Sequence, residues 1–181
     1  AARLVGSEGH VFGLDMTPDM VALARKNAAE AKIENVEFIE GSIDQIPLPD
    51  VSVDVVLSNC VINLCENKQA VFAEAKRVLA PGGRLVVSDI VAFSPIPQGA
   101  EESLARITGC RRGITPTDCY REMMTACGFS HCDIEPKTVY TIDVLREKAG
   151  RKGRTEALET AMRFDVDSVC GSAIICGRVP E

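Results

Sequence analysis

Two cysteines and a few polar side chains stand where this chain could do chemistry. Ser58-Asn59-Cys60 closes the run Val53-Asp54-Val55-Val56-Leu57. That run is short, apolar and β-branched, which predicts a strand buried on both faces. Open α/β sheets hold their ligands at the carboxyl ends of such strands. A thiol there serves as a ligand or nucleophile, or as a small buried hydrophobe, and the residue type alone leaves both readings open. Cys110 follows Gly109 in a loop segment beside Arg111 and Arg112. Two neighbouring guanidinium groups favour a thiolate, and packing explains a loop cysteine less well.

The carboxylates add a second kind of chemistry. Asp15 ends the predicted strand 10–15 just before a helix, the place where nucleotide-binding α/β folds put an acceptor for ribose hydroxyls. The competing reading is an ordinary polar strand end. Thr17, followed by Pro18, is the expected helix N-cap, which leaves Asp15 available for a ligand. Asp44, in the turn Gly41-Ser42-Ile43-Asp44, either bonds an adenine amino group or solvates the turn. With only two histidines and neither at a strand end, no Ser-His-Asp or Cys-His arrangement is available, which argues against hydrolase chemistry. His131 and the basic run 146–154 read as solvated surface.

The remaining thiols are quieter. Cys127, Cys132, Cys170 and Cys176 fall on core-facing helix or strand positions, and Cys65 and Cys119 stay undecided. Eight cysteines without any Cys-x-x-Cys spacing argue against a tetrahedral zinc site. No secretory signal accompanies them, so reduced thiols and a cytoplasmic location are expected. The chain has 181 residues, 46% of them hydrophobic, and a mean hydropathy of +0.07, enough to bury a full core as a single domain. A net charge of −6 argues against nucleic acid or an anionic membrane as partner. No apolar run approaches the ~18 residues needed to cross a bilayer.

The elements that would position these groups follow from periodicity. Residues 1–6 read as the last turn of a helix with a glycine cap, so a segment is expected upstream. A helix follows Pro18 to about residue 32, with Met20, Leu23, Ala24, Ala28 and Ala31 as its apolar stripe. Residues 36–39 alternate as a strand. A helix over 67–79 is stopped by Pro81-Gly82-Gly83, and 84–90 is the next buried strand. Residues 95–128 form a lid-like segment with a short helix and a second helix from Thr115-Pro116-Thr117. A strand at 132–140, one polar helix over 142–159 and a final strand at 171–177 complete the set. Strands alternating with helices predict a parallel, doubly wound α/β sheet with right-handed crossovers.

Four segments carry a resemblance. Gly13-Leu14-Asp15-Met16-Thr17-Pro18-Asp19-Met20, Ser58-Asn59-Cys60-Val61-Ile62-Asn63-Leu64, Arg77-Val78-Leu79-Ala80-Pro81-Gly82-Gly83-Arg84-Leu85 and Ser88-Asp89-Ile90 resemble the arsenite methyltransferases, a branch of the class I S-adenosylmethionine-dependent methyltransferases. The Pro-Gly-Gly segment is common to many methyltransferases, whereas Asp-Met-Thr-Pro and Ser-Asn-Cys-Val-Ile-Asn-Leu are far more specific. The resemblance spans nearly the whole chain. It implies a Rossmann-like sheet of strand order 3-2-1-4-5-7-6, whose first strand, glycine-rich loop and a third cysteine are expected upstream of Ala1. It also implies S-adenosylmethionine as cofactor, contacted by Asp15, Met16, Ile43, Asp44, Ser58 and Asn59. Cys60 and Cys110 are implied as the thiolates that hold trivalent arsenic for methylation, in the service of detoxification. Arsenite or its thiol conjugates would be the substrate, and a thiol reductant such as thioredoxin or glutathione the partner. The alternatives are methylation of a quinone-type carbon or oxygen, and a non-catalytic thiol-rich fragment that binds metalloids. A carbon or oxygen nucleophile needs a base and an aromatic pocket, and aromatic residues make up 4% of this chain.

Overall fold

The computed structural model describes residues 1–110 and 112–181, and the chain divides into two compact units, 1–49 and 50–181. In the first unit a parallel pair of strands is joined by one helix, because parallel neighbours need a crossover. β1 (Val11–Asp15) pairs with β2 (Val36–Glu40) in the register Val11↔Val36 to Asp15↔Glu40, and α2 (Pro18–Glu30) makes the crossover. Gly13 sits where a Cβ would lie 2.6 Å from the Phe38 ring, so only glycine lets the two strands meet there. The short α1 (Ala2–Val5) ends at Gly6, as the sequence predicts. The Asn35 amide ties this region down by donating to the carbonyls of Ala2, Gly6 and Gly9 at 2.8–3.0 Å.

Two expectations fail in this unit. The apolar stripe of α2 is not a buried face: Met20 and Leu23 are about half exposed, and Val21 is the buried residue of the helix. Thr17 has N-cap geometry but makes no capping bond; instead the Asp15 carboxylate accepts from the Thr17 N–H at 2.9 Å.

The second unit is built on a sheet of order β3-β4-β7-β6, with the short β5 (Thr115–Pro116) beside the end of β4. β3 (Val53–Asn59) runs parallel to β4 (Leu79–Ala92), while β7 (Cys170–Arg178) is antiparallel to both β4 and β6 (Ser130–Val139). The sheet is mixed rather than wholly parallel, because the chain returns between β6 and β7 and inserts β7 in the reverse direction. The pairings of both sheets match the order implied by the resemblance, and among the described residues no strand corresponds to its first. Among the described residues β3 is the last strand of this sheet, on the side where the resemblance places its first strand, and Val55 and Leu57 are 40% and 64% exposed there.

Among the described residues five helices accompany this sheet: α3 (Lys68–Val78), α4 (Glu101–Thr108), α5 (Thr117–Ala126), α6 (Ile142–Arg151) and α7 (Thr155–Ala161). Asn67 caps α3 by accepting from the Ala70 N–H at 3.0 Å. Helical geometry ends at Val78, and β4 begins at Leu79 and runs through Pro81-Gly82-Gly83, with Gly82 at φ 72°. The single helix expected over 142–159 is two helices, broken at Lys152-Gly153-Arg154. Leu104, Ile107, Tyr120 and Met124 of the 95–128 segment are fully buried, so this segment forms part of the core. The Phe72 and Tyr120 rings meet edge to face at 5.9 Å. Burying each such large apolar side chain contributes roughly 1.5–3 kcal/mol.

Candidate functional site

Cys60 is the first residue beyond β3, and it adopts φ 57°, a left-handed conformation uncommon outside glycine. Its N–H donates to the Ser88 carbonyl at 2.8 Å, which holds the turn against β4 and leaves the side chain exposed. The chain then enters a 3-10 turn, Ile62–Leu64, that sends Asn63 inward to 1% exposure.

Asn63 meets Asp89, which the end of β4 buries to 2% exposure. The Asp89 carboxylate accepts four bonds: from the Asn63 amide at 2.9 Å, the Asn63 N–H at 3.3 Å, the Ile90 N–H at 2.8 Å and the Tyr120 hydroxyl at 3.2 Å. Four donors suit an ionised carboxylate, although burial pushes its pKa up against them. The Asn63 amide also donates to the Ile90 carbonyl at 2.6 Å and to Cys110 Sγ at 3.8 Å, while its oxygen accepts from the Thr115 hydroxyl at 2.7 Å. A polar network therefore runs from the Cys60 turn through β4 and β5 to Cys110. Sequence reasoning missed it, and the available signal was Asp89 at the end of a buried strand.

Cys110 lies just past α4, at 4% exposure, rather than in an open loop. Burial pushes its thiol up, as do the nearby Asp89 and Cys60, against hydrogen bonds from Thr108 and Asn63. The expected arginine effect is absent at Arg112, whose guanidinium pairs with Glu66 at 2.6 Å, and Arg111 lies outside the described residues. Cys60 is raised as well, by partial burial and by Asp89, with Lys148 and Lys152 opposing. Both thiols are protonated at neutral pH, and they lie within electrostatic reach of one another. Cys170, fully buried on β7, feels Cys110 too, and burial raises it to about 12. Cys127, Cys132 and Cys176, expected in the core, are half-buried.

The basic run 146–154 is more than a solvated face. Lys152 and Arg154 donate to the last carbonyls of α4, at Thr108 (3.4 Å) and Ile107 (3.3 Å), where cations offset the negative end of a helix. Lys148 stands 4.3 Å above the Tyr140 ring. The Lys152 and Arg154 bonds tie the run to the end of α4, two and three residues before Cys110.

The predicted cofactor residues divide between the units. In the first, Asp15 is exposed and uses one oxygen on Thr17, Met16 is 74% exposed, Ile43 is half-buried, and Asp44 accepts from the Ser42 hydroxyl. In the second, Asn59 is exposed, and the buried Ser58 hydroxyl has no hydrogen-bond partner among the described residues. An orphaned hydroxyl at a strand end fits a polar ligand. A cavity of about 400 Å³ lies elsewhere, lined by Asp50, Lys76, Arg77, Pro81 and Glu181, and includes none of these residues. Among the described residues no helix is long and apolar enough to cross a membrane.

Strands, crossover helices and polar side chains gathered at strand ends define an α/β protein of the Rossmann-like class. The chain belongs to the methyltransferase domain family, whose model matches residues 1–146. It is 46% identical to an arsenite methyltransferase of Halobacterium salinarum over 76% of this chain and 35% of that protein. An arsenite methyltransferase of Aquipseudomonas alcaligenes is 44% identical over 99% of this chain and 56% of its own length. Demethylmenaquinone methyltransferase of Listeria monocytogenes is 39% identical over 49% of this chain and 37% of its own length. Among solved structures, the arsenic(III) S-adenosylmethionine methyltransferase of Chlamydomonas reinhardtii matches with a TM-score of 0.71 and 29% identity, over 99% of this chain and 58% of that one. The chain thus spans between about a third and just over half of these curated arsenite methyltransferases.

Proposed function

We propose that this chain is the arsenic-capturing part of an S-adenosylmethionine-dependent arsenite methyltransferase, with Cys60 and Cys110 as the two arsenic ligands. The observation that supports the reading is the pair itself: the Cys60 turn is held to β4 at Ser88, and Asn63 of the same turn reaches Cys110 Sγ at 3.8 Å beside the buried Asp89. Trivalent arsenic is a soft centre that selects soft thiolate ligands. Neutral arsenous acid meets neutral thiols here. At each ligand an S–As bond forms while an S–H and an As–OH bond break, and the proton leaves with the hydroxide as water. Capture needs no base, in keeping with the lack of a histidine at the site.

Asp15 is the candidate for the ribose hydroxyls and Asp44 for the adenine amino group, with Met16, Ile43, Ser58 and Asn59 as further cofactor candidates. S-adenosylmethionine supplies, when bound, a sulfonium methyl group that a lone pair can take. The chain's own contribution is to hold arsenic with its lone pair fixed in direction, and such alignment is worth up to ~7–11 kcal/mol of a barrier. Thioredoxin or glutathione is the proposed source of reducing thiol.

The test is a serine scan with arsenite-dependent methyl transfer and melting temperature as readouts. Cys60→Ser and Cys110→Ser should each abolish transfer, whereas the same change at Cys127, Cys132 or Cys176 should alter stability alone. Retained transfer in either of the first two removes arsenic from the reading and favours the quinone-type alternative, which the Listeria relative supports. Arsenite binding with no response to S-adenosylmethionine would favour a metalloid-binding role without turnover.

A further inference from the structure

Two thiols chelate one ion only if something fixes the distance between them, and they sit on segments that share no backbone pairing. Cys60 belongs to the turn after β3, and Cys110 to the coil after α4. The Asn63 side chain spans that separation. It is rooted three residues beyond Cys60, in the same turn, and its amide nitrogen lies 3.8 Å from Cys110 Sγ. The amide has no freedom to turn away. Asp89 and the Ile90 carbonyl take its N–H groups at 2.9 and 2.6 Å, and the Thr115 hydroxyl fills its oxygen at 2.7 Å. Such a side chain could be placed for stability alone, since a buried amide needs its partners. Its nitrogen, however, faces three acceptors with two N–H groups, so one N–H is shared between a protein oxygen and Cys110 Sγ, and folding does not require that third partner.

We infer that Asn63 is a positioning residue, which Thr115 and Asp89 orient so that it holds Cys110 Sγ at a fixed place relative to Cys60 for bidentate capture of a soft ion. This rests on the two-thiol reading above. Without Asn63 both thiols remain, but the second acts at a lower effective concentration once the first has bound. Monodentate chemistry at Cys60 is untouched, because that side chain is exposed and its backbone is held independently by Ser88.

The experiment measures arsenite affinity of the chain by titration, in parallel with the rate at which iodoacetamide alkylates Cys60, read by mass spectrometry. Asn63→Ala should weaken arsenite binding by about 10-fold or more, approaching Cys110→Ser, while the alkylation rate stays within about twofold. Thr115→Val keeps the shape of its side chain and removes only the hydroxyl on Asn63, so it should melt close to the parent chain and still bind arsenite about threefold more weakly. Unchanged affinity in both variants overturns the inference. So does a loss of affinity that tracks a matching change in Cys60 alkylation and melting temperature, since that is what a purely structural residue would give. Should Asn63→Ala not fold, Thr115→Val decides alone. A parent chain that does not bind arsenite overturns the two-thiol reading itself, and the inference with it.

Discussion

In the unit 1–49 a parallel pair of strands carries one principal helix, with Val21 and Ile46 as its buried apolar side chains. In the unit 50–181 β4 is flanked by β3 and β7, helices α3 to α7 accompany the sheet, and Phe72, Leu104, Tyr120, Leu145 and Ile175 are fully enclosed. The candidate chemistry divides in the same way. The first unit offers exposed carboxylates at strand ends and turns, and the second offers thiols set in a buried network. A parallel pair is ordinarily covered on both faces, and a two-stranded sheet is marginal alone. The small unit can therefore supply ligand-facing groups without supplying much of the stability.

The largest expected effect tests that imbalance. Backbone amides of β1 and β2 should exchange with solvent at least about 100-fold faster than those of β4 and β7, because local opening follows the amount of buried apolar structure. Equal protection across the two sheets would break the comparison. Core truncation should then separate the units in stability. Phe72→Ala should cost about 3–5 kcal/mol. Val21→Ala should cost about 1 kcal/mol, near the centre of the range for single substitutions. Urea unfolding measures both, and similar losses would break the comparison.

Asp15→Ala sharpens the functional half of the comparison. Loss of bonds to a charged acceptor should weaken S-adenosylmethionine binding by about 1.5–3 kcal/mol while the melting temperature hardly moves. An unchanged dissociation constant would return Asp15 to local duty on the Thr17 N–H. The smallest effect is alkaline. Folded Cys170 holds its proton to about 12, whereas an unfolded cysteine loses it near ~8.5. Between those values the folded state binds more protons, so stability falls as pH rises, by at most about 1.4 kcal/mol per pH unit for this group. Melting temperatures followed from about pH 8 to 11 should drop less steeply in Cys170→Ala. An identical slope in the variant would assign the alkaline loss to other groups.

Local features were legible in the sequence because their causes are local. Glycine after α1, Pro18 at the first position of α2 and the alternating residues 36–39 of β2 act through neighbours a few positions away, and all appear where expected. Cys60 at a strand end and Cys110 past a glycine were likewise visible as residue types. What the sequence could not hold is whatever depends on which strands become neighbours. An apolar run such as Val53–Asn59 reads the same whatever strand it pairs with, and only the fold sets it parallel to β4 in the register Val55↔Arg84 to Asn59↔Ser88. The state of Cys110 follows the same logic. The adjacent arginines suggested a thiolate, but α4 turns the sulfur inward, Arg112 pairs with Glu66, and burial beside Asp89 raises the thiol. The network of Asn63, Asp89, Thr115 and Tyr120 joins directly bonded partners up to 52 positions apart. Each is an unremarkable polar side chain until the fold removes water around it, and at that point its bonds to the others are the ones left to make.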